Sequence, residues 1–429
     1  MITNKDVLCP TPPMGFNSWD CYGAGIDETR LLAIAEWMRL RLLPFGWKYV
    51  VCDIQWYEPN ARHTRYNKFA DLCMDGFSRL LPAENRFPSA AGGKGFQPLA
   101  EKLHGMGLLF GLHLMRGIPR QAVHRNTPTV TPGVTARDIA AAYSVCPWNT
   151  DMYGVDPDAP GAQAYYDSVF ALFAEWGVDY VKVDDIANTE FKPNEPYSAA
   201  REIEMIRRAI DRSGRPMVLS LSPGPAPIEA AFHLKRNANL WRVSGDFWDT
   251  PEALTQMFTL CERWYPHVSP GCWPDCDMLP LGVLSVQDPD PAFRARRTRF
   301  TPGEQRMLMT LWCMFRSPLM YGGEATLTDD ETLSLLTNRA LLDLDQHSSG
   351  NRPLVSTAQE AVWTCFDRGG APVFACFNLT RSPREVSCPH GLAACTATDL
   401  WTGERLTLST GETIVPLAAR SCRVFRAEA

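Results

Sequence analysis

The chain of 429 residues is 45% hydrophobic and 21% charged, an ordinary globular composition. Its formal net charge of −6 leaves no basic footprint for nucleic acid, and no apolar run reaches the roughly 18 residues needed to span a membrane. The length accommodates a barrel of about 250–350 residues plus one small domain, and a homo-oligomer is compatible with it.

Strand and helix signals alternate from the start. Residues 14–19 read as a strand, and a helix follows from about Asp27, with Leu31, Leu32, Ile34, Ala35, Met38 and Leu42 at helical spacing. A strand at 49–53 leads through a long Pro- and Gly-containing loop to a helix over 98–106. A strand at 109–115 opens a second long connection, 116–160. A helix over 162–176 feeds a strand at 180–184, and a helix over 199–212 stops at Ser213-Gly214-Arg215-Pro216. Next come a strand at 217–222, a helix over 227–235, a strand at 240–246, a helix over 251–264 and a strand-like segment at 273–279. A helix from about Glu304, a strand at 318–321 and a helix from about Asp329 close an eighth unit. Alternating βα units in this number predict an α/β fold, a closed (β/α)8 barrel of TIM type over residues 1–345.

Beyond about Asn351 helical periodicity ends. Runs such as Ala361-Val362-Trp363-Thr364-Cys365-Phe366 and Pro372-Val373-Phe374-Ala375-Cys376-Phe377 are separated by Gly, Asn, Asp and Ser. They predict a C-terminal antiparallel β-sandwich domain over residues 350–429.

The 14 cysteines are scattered through apolar runs (Cys52, Cys313, Cys365, Cys376) rather than spaced as a disulfide scaffold. The first ten residues lack the apolar core of a signal peptide. Together these features predict a cytoplasmic protein with reduced thiols. Cys272 and Cys276 have the wrong spacing for zinc, so no metal and no cofactor is predicted. Asn378-Leu379-Thr380 fits a glycosylation sequon and is read as a loop sequence.

The informative chemistry lies at strand ends. Lys182 and Asp184 project to one face of the 180–184 strand, with Val181 and Val183 on the other. An ammonium and a carboxylate on the inner face of a buried strand are costly unless used or paired. Asp184 is therefore a candidate nucleophile, with a structural Lys–Asp pair as the alternative. Asp53 follows the run Lys48-Tyr49-Val50-Val51-Cys52, and Asp246 ends a run in which Arg242, Ser244 and Asp246 share a face. Asp275 and Asp277 lie in Trp273-Pro274-Asp275-Cys276-Asp277. Strands that each deliver a carboxylate at their far end describe the C-terminal face of a barrel. The two long loops fall on that face, where such loops are usually functional. The second carries Arg116, Arg120, His124, Trp148, Asn149, Asp151 and Tyr153, groups suited to a sugar; for any one of them a packed surface loop is the alternative.

Thr11-Pro12-Pro13-Met14-Gly15-Phe16-Asn17-Ser18-Trp19 resembles the opening signature of glycoside hydrolase family 27, the melibiase-type α-galactosidases and α-N-acetylgalactosaminidases. The likeness continues through Tyr180-Val181-Lys182-Val183-Asp184, the segment from Arg242 to Asp246, and Trp273-Pro274-Asp275-Cys276-Asp277-Met278-Leu279, where Cys276 replaces a proline. It ends with Glu304-Gln305-Arg306 and Ser317-Pro318-Leu319. The resemblance covers nearly the whole chain and looks like that of a divergent bacterial-type member. It implies a retaining exo-glycoside hydrolase that releases terminal α-galactose-like residues from an oligosaccharide or glycoside by double displacement, Asp184 as nucleophile and Asp246 as acid/base.

Retention requires two carboxyl groups about 5–5.5 Å apart. Lys182 beside Asp184 predicts an ionised nucleophile. Asp246 needs a proton, which predicts a dry setting near Phe247 and Trp248. Arg242 is expected on a sugar hydroxyl rather than on Asp246, since a tight pair would defeat the acid. Trp19 offers a ring for the sugar's C–H face, and Asp53 and Asp277 can accept from its hydroxyls.

Departures from the family pattern bear on the sugar. Its two consecutive Asp at the end of strand two are here Asp53 and Ile54. His113 replaces the strand-three aromatic, Ile186 replaces a Cys of a disulfide, and Ser222 replaces the Glu of α-galactosidases, the smaller choice of the N-acetylgalactosaminidases. Ile54, His113 and Ser222 join Trp19, Asp53, Lys182, Arg242 and Asp277 as expected sugar-binding positions. Alternative activities of the family are β-L-arabinopyranosidase, α-N-acetylgalactosaminidase and isomaltodextran hydrolysis. A catalytically silent carbohydrate-binding barrel is the alternative outside enzymology.

Overall fold

The computed structural model describes residues 5–63, 65–189, 194–195, 197–286 and 295–428. Eight parallel strands form its centre: β1 Met14–Asn17, β2 Tyr49–Cys52, β3 Leu109–Met115, β4 Tyr180–Asp184, β5 Val218–Ser222, β6 Leu240–Arg242, β7 Trp273–Asp275 and β8 Leu319–Tyr321. They pair in chain order, and β1 also pairs β8. Leu279, just past β7, bridges to Tyr321 in parallel register, and its amide donates to Met320 O at 2.7 Å. That contact closes the sheet into a barrel.

Helices α1 Glu28–Arg41, α2 Gln97–Gly105, α3 Ala162–Glu175, α4 Ala200–Ser213, α5 Ala231–Asn237, α6 Pro251–Trp264, α7 Pro302–Phe315, α8 Asp330–Leu336 and α9 Arg339–His347 link and follow the strands. Local sequence fixes their ends. Asp27 caps α1 by accepting from Arg30 N, and Thr301 with Glu304 forms a capping box on α7. Gly214, at φ +75°, ends α4 in the left-handed region.

Side-chain alternation divides the barrel interior into two layers. The lower layer is apolar: Val51, Tyr180, Val218, Leu240, Trp273 and Met320 pack together with Met278 and Cys9. Two residues further along the same strands the inward positions become Asp53, Lys182, Ser220, Arg242 and Asp275, and beyond them Asp184, Ser222 and Asp277. Strands β2 and β4 to β7 thus seal the barrel with one residue and deliver a polar group to the mouth with the next. Glycine makes room where aromatic rings enter this layer: Gly111 faces Val51 and Tyr180, whose ring lies 5.4 Å from that of Tyr49.

The 116–160 connection is not the irregular loop its length suggests. Ile118–Pro119 and Ala140–Ala141 flank Met152–Val155 in a small sheet, with helices at Arg120–Arg125 and Ala136–Ile139. The 240–246 run is also shorter than expected, because the strand stops at Arg242 and residues 243–246 bend away. Ser244 and Asp246 therefore do not continue the face of Arg242.

After α9 the chain is antiparallel. Strands β9 Ser349–Ser356, β10 Glu360–Phe366, β11 Pro372–Asn378, β12 Arg384–Cys388, β13 Cys395–Asp399, β14 Arg405–Leu408, β15 Thr413–Leu417 and β16 Ser421–Ala427 form a six-stranded sheet, β9-β10-β11-β16-β13-β14, and a β12–β15 pair. Val362, Phe374 and Phe425 of the first pack with Val386 and Val415 of the second, the core of a sandwich. Phe377 meets Phe258 of α6 at 4.9 Å, and Trp401 donates to Thr310 of α7 at 3.0 Å. Asn378 is fully buried with its amide on Ser382 O and Ala418 O, so the sequon is a structural turn.

The close approach of β1 and β2 gives a direct test. A Cβ at Gly15 would lie 2.6 Å from Tyr49 Cβ and press on its carbonyl, whereas one at Gly105 in α2 meets nothing within 4 Å. Gly15→Ala should destabilise the protein by about 2–3 kcal/mol, while Gly105→Ala should be neutral or stabilise by up to about 1 kcal/mol. Urea denaturation of both variants checks the pair.

Candidate active site

A cavity of about 460 Å³ opens at the C-terminal mouth of the barrel, and Trp19, Asp53, Ile54, Lys182, Asp184, Ser222, Arg242, Asp246 and Asp277 all line it. Of the catalytic pair and the expected sugar-binding positions, His113 alone does not line it. His113 is fully buried in β3 and its Nε2 lies 3.2 Å from Asp184 Oδ2. It stands behind the carboxylate rather than against a sugar.

The structural Lys182–Asp184 pair, the alternative reading of this strand, is not formed; Lys182 bonds elsewhere. Lys182 Nζ donates to Asp53 Oδ2 at 2.9 Å, and Asn17 Nδ2 donates to the same oxygen at 2.7 Å. The Ile54 amide donates to Asp53 Oδ1 at 2.8 Å. Burial alone would raise the Asp53 pKa, but the Lys182 and His113 charges and these hydrogen bonds outweigh it and hold it near 2. Register explains the switch: Lys182 sits one inward position below Asp184 on β4, at the depth reached by Asp53 from β2.

Asp184 is held ionised by a wider set of groups. Burial raises its pKa, yet the His113 hydrogen bond and the charges of His113, Lys182 and Arg242 bring it below the usual carboxylate range. Its Oδ1 accepts from the Asp185 amide at 2.8 Å. Asp185 in turn takes a buried guanidinium, with Arg116 Nη2 donating to its Oδ2 at 2.8 Å and Nε to its carbonyl at 2.5 Å. Arg116 from the long connection is therefore a fully buried brace for the peptide after Asp184, not a sugar ligand.

Asp246 departs from expectation twice. Arg242 Nη1 donates to Asp246 Oδ1 at 2.7 Å and lies 3.2 Å from Asp277 Oδ2, so the pair that was expected to be avoided is present. The side chain of Asp246 is also 67% exposed, although Phe247 and Trp248 line the same cavity. In the open cavity this carboxylate is solvated and paired. Asp277 is fixed by Arg242 and by the Phe247 amide at 2.9 Å.

An aromatic wall completes the basin. Trp19 stacks on Tyr66 with ring centroids 5.9 Å apart, and Tyr66 meets Trp148 at 5.6 Å. Trp148 is the one residue of the predicted 116–160 set that lines the cavity. Asn149 and Asp151 are buried beneath it, with Asp151 Oδ2 taking the Gln55 amide at 2.5 Å and the Tyr57 hydroxyl at 3.0 Å. Tyr66 and Asp20 line the cavity without having been singled out from sequence. Tyr66 lies in an irregular loop with no motif; Asp20 directly follows the Trp19 signature, which was signal enough. Ser222 Oγ is buried and unpartnered among the described residues. Among the described residues no cluster of His, Cys, Asp and Glu could hold a metal ion.

A barrel whose strand ends gather carboxylates around a basin walled by indole and phenol rings defines a class, the carbohydrate-cleaving (β/α)8 enzymes. Residues 157–347 match a family model of melibiases described as alpha galactosidase A. The chain is 50% identical to a β-L-arabinopyranosidase of family 27 from Geobacillus stearothermophilus, covering 100% of this chain and 99% of that one with a TM-score of 0.96. The same enzyme is known in complex with arabinose. Alpha-galactosidase 3 of Arabidopsis thaliana is 25% identical over 431 aligned residues, 97% of this chain and 82% of that protein. The chain belongs to glycoside hydrolase family 27 and is a glycoside hydrolase.

The Asp53 pair predicts how acid affects the fold. A folded pKa near 2 lies below the ordinary value of 3.8, so the ionised group stabilises the protein above about pH 4, and that contribution is lost as pH falls from about 4 to about 2. Asp53→Asn should lower stability at pH 7 by about 3–5 kcal/mol, because it strands the Lys182 ammonium. It should also flatten the acid limb of a plot of Tm against pH. Retention of the parent's acid limb would place the acid sensitivity in another group.

Proposed function

We propose that the enzyme is a retaining, exo-acting β-L-arabinopyranosidase, with terminal α-galactosides as poorer substrates. The observation that carries this is Ile54. It is 2% exposed and lines the cavity beside Asp53, where the family pattern has a second hydroxyl-binding carboxylate. L-Arabinopyranose shares the ring stereochemistry of galactose but lacks its hydroxymethyl group. An isoleucine wall suits a bare ring methylene and leaves a primary hydroxyl desolvated without a partner. The whole-chain match to an arabinopyranosidase supports the same reading.

In this reading Asp184 attacks the anomeric carbon while Asp246 protonates the departing glycosidic oxygen. Water, activated by the same Asp246 as base, then hydrolyses the covalent glycosyl-enzyme, and two inversions give net retention. Lys182, His113 and Arg242 keep Asp184 anionic. Arg242 holds Asp246 at the rim of the cavity, where an aglycone that fills the cavity and expels water brings its glycosidic oxygen to this carboxyl group. Trp19 stacks on the ring, and Asp53, Asp277 and Arg242 meet its hydroxyls. The free thiols suit a reducing compartment, and a cytoplasmic location is part of the proposal.

On p-nitrophenyl glycosides, kcat/KM should be highest for the β-L-arabinopyranoside, ahead of the α-galactoside, α-N-acetylgalactosaminide and α-glucoside. Ile54→Asp should shift the ratio toward α-galactoside by about tenfold or more. A parent already faster on α-galactoside would sink this reading of Ile54.

Proton NMR of the first product should show the anomer of the substrate. Asp184→Asn should abolish turnover on every substrate. Asp246→Asn should slow unactivated glycosides by about 10²–10⁴-fold and spare the glycosylation step of those with good leaving groups. Equal slowing of both substrate types would remove Asp246 from the acid role.

A further inference from the structure

The cavity wall contains a carboxyl group that has no partner among the described residues. Asp20, in the short helix Trp19–Tyr22, is 3% exposed and lines the cavity, and its Oδ2 is buried with no hydrogen bond among the described residues. The groups around it are engaged with one another. Tyr22 donates to Glu324 at 3.0 Å, Lys182 is committed to Asp53, and Arg242 is committed to Asp246, Asp277 and the Pro223 carbonyl. The backbone nevertheless keeps space for this carboxyl. A Cβ at Gly322, just past β8, would lie 2.8 Å from Asp20 Cγ and closer still to Oδ2, and Gly322 has no left-handed φ to explain its being glycine. The position is glycine because Asp20 is there.

A buried aspartate with no hydrogen-bond donor on its side chain is a poor structural element. Burial, reinforced by Asp277 and opposed by Lys182, raises its pKa well above the carboxylate range. A carboxyl group that holds a proton both donates and accepts, whereas Asp53 is an anion that only accepts and already takes donors from Lys182, Asn17 and the Ile54 amide. Those complementary capacities match a ring hydroxyl, which also donates and accepts.

We propose that Asp20 is a sugar-binding carboxylic acid, taking one ring hydroxyl of the residue held between Trp19 and Asp277. The proposal rests on the glycosidase reading of this cavity but not on which sugar it prefers. It adds a discriminating contact on the β1–β8 side of the cavity.

The test uses whichever p-nitrophenyl glycoside the parent turns over fastest, so a wrong sugar assignment and a wrong role for Asp20 fail separately. Asp20→Leu should lower kcat/KM by about 100-fold, the equivalent of two hydrogen bonds, with Tm equal to or above that of the parent. Asp20→Asn keeps one donor and one acceptor and should stay within about tenfold of the parent. A set of monodeoxy glycosides gives the reading a structural role cannot mimic. The parent should discriminate against the analogue lacking one particular hydroxyl, and Asp20→Leu should lose that discrimination while keeping it at the other positions. If Asp20→Leu does not fold, the same comparison is made with Asp20→Ala. An apolar variant that keeps the parent's kcat/KM, or that loses activity without losing discrimination at any single hydroxyl, overturns the proposal.

Discussion

The buried pair of Lys182 and Asp53 is the constraint on which the active-site end of this barrel depends. An ammonium set into the barrel above a layer of Tyr180, Trp273 and Val51 is intolerable alone, and its partner comes from a strand two places away in the sheet. The pair joins β2 to β4 across β3, and His113 of β3 fills the gap between them. With Lys182 occupied below, Asp184 is free to face the cavity while still feeling the positive charge. A direct Lys182–Asp184 bond would have used the carboxylate up.

Arg242 has the corresponding place on the opposite wall. Its guanidinium is shared among the Pro223 carbonyl, Asp246 and Asp277, so one cation holds two carboxylates and a loop in register. The two cations therefore differ in role. Both line the cavity, but Lys182 is bound to the one buried carboxylate of Asp53, whereas Arg242 is divided among its partners, and its bonds to Asp246 and Asp277 compete with those to an entering hydroxyl. The long connection after β3 adds the Arg116 brace on Asp185 and Trp148 on the rim.

Much of this was legible in the sequence because the barrel repeats one simple rule. Period-two alternation in Tyr180-Val181-Lys182-Val183-Asp184 gave the inward face, and acids at the ends of successive strands gave the mouth. What alternation does not encode is depth. Lys182 and Asp184 share a face but lie at different heights, and partners across a barrel are set by its shear, which no single strand reveals. The same limit hid the position of His113 behind Asp184. The Asp246 environment was misread for another reason: the strand ends at Arg242, so the backbone bend, not the strand period, brings Arg242 and Asp246 into contact at i,i+4. The small sheet within 116–160 was missed because its strands of two to four residues leave no periodicity to detect.

The charges lining the basin have a consequence for the reaction coordinate itself. Asp53, Asp184, Asp246 and Asp277 face it against Lys182 and Arg242, so the unoccupied basin is electronegative. Glycoside cleavage passes through an oxocarbenium-like state in which the sugar ring becomes cationic. A neutral ring entering such a site gains little from its field, but a ring acquiring positive charge gains more with each increment. The same field disfavours a carboxylated sugar at this position and favours a protonated nitrogen in place of the ring oxygen. A basin of this sign selects for charge that a substrate acquires only while it is reacting.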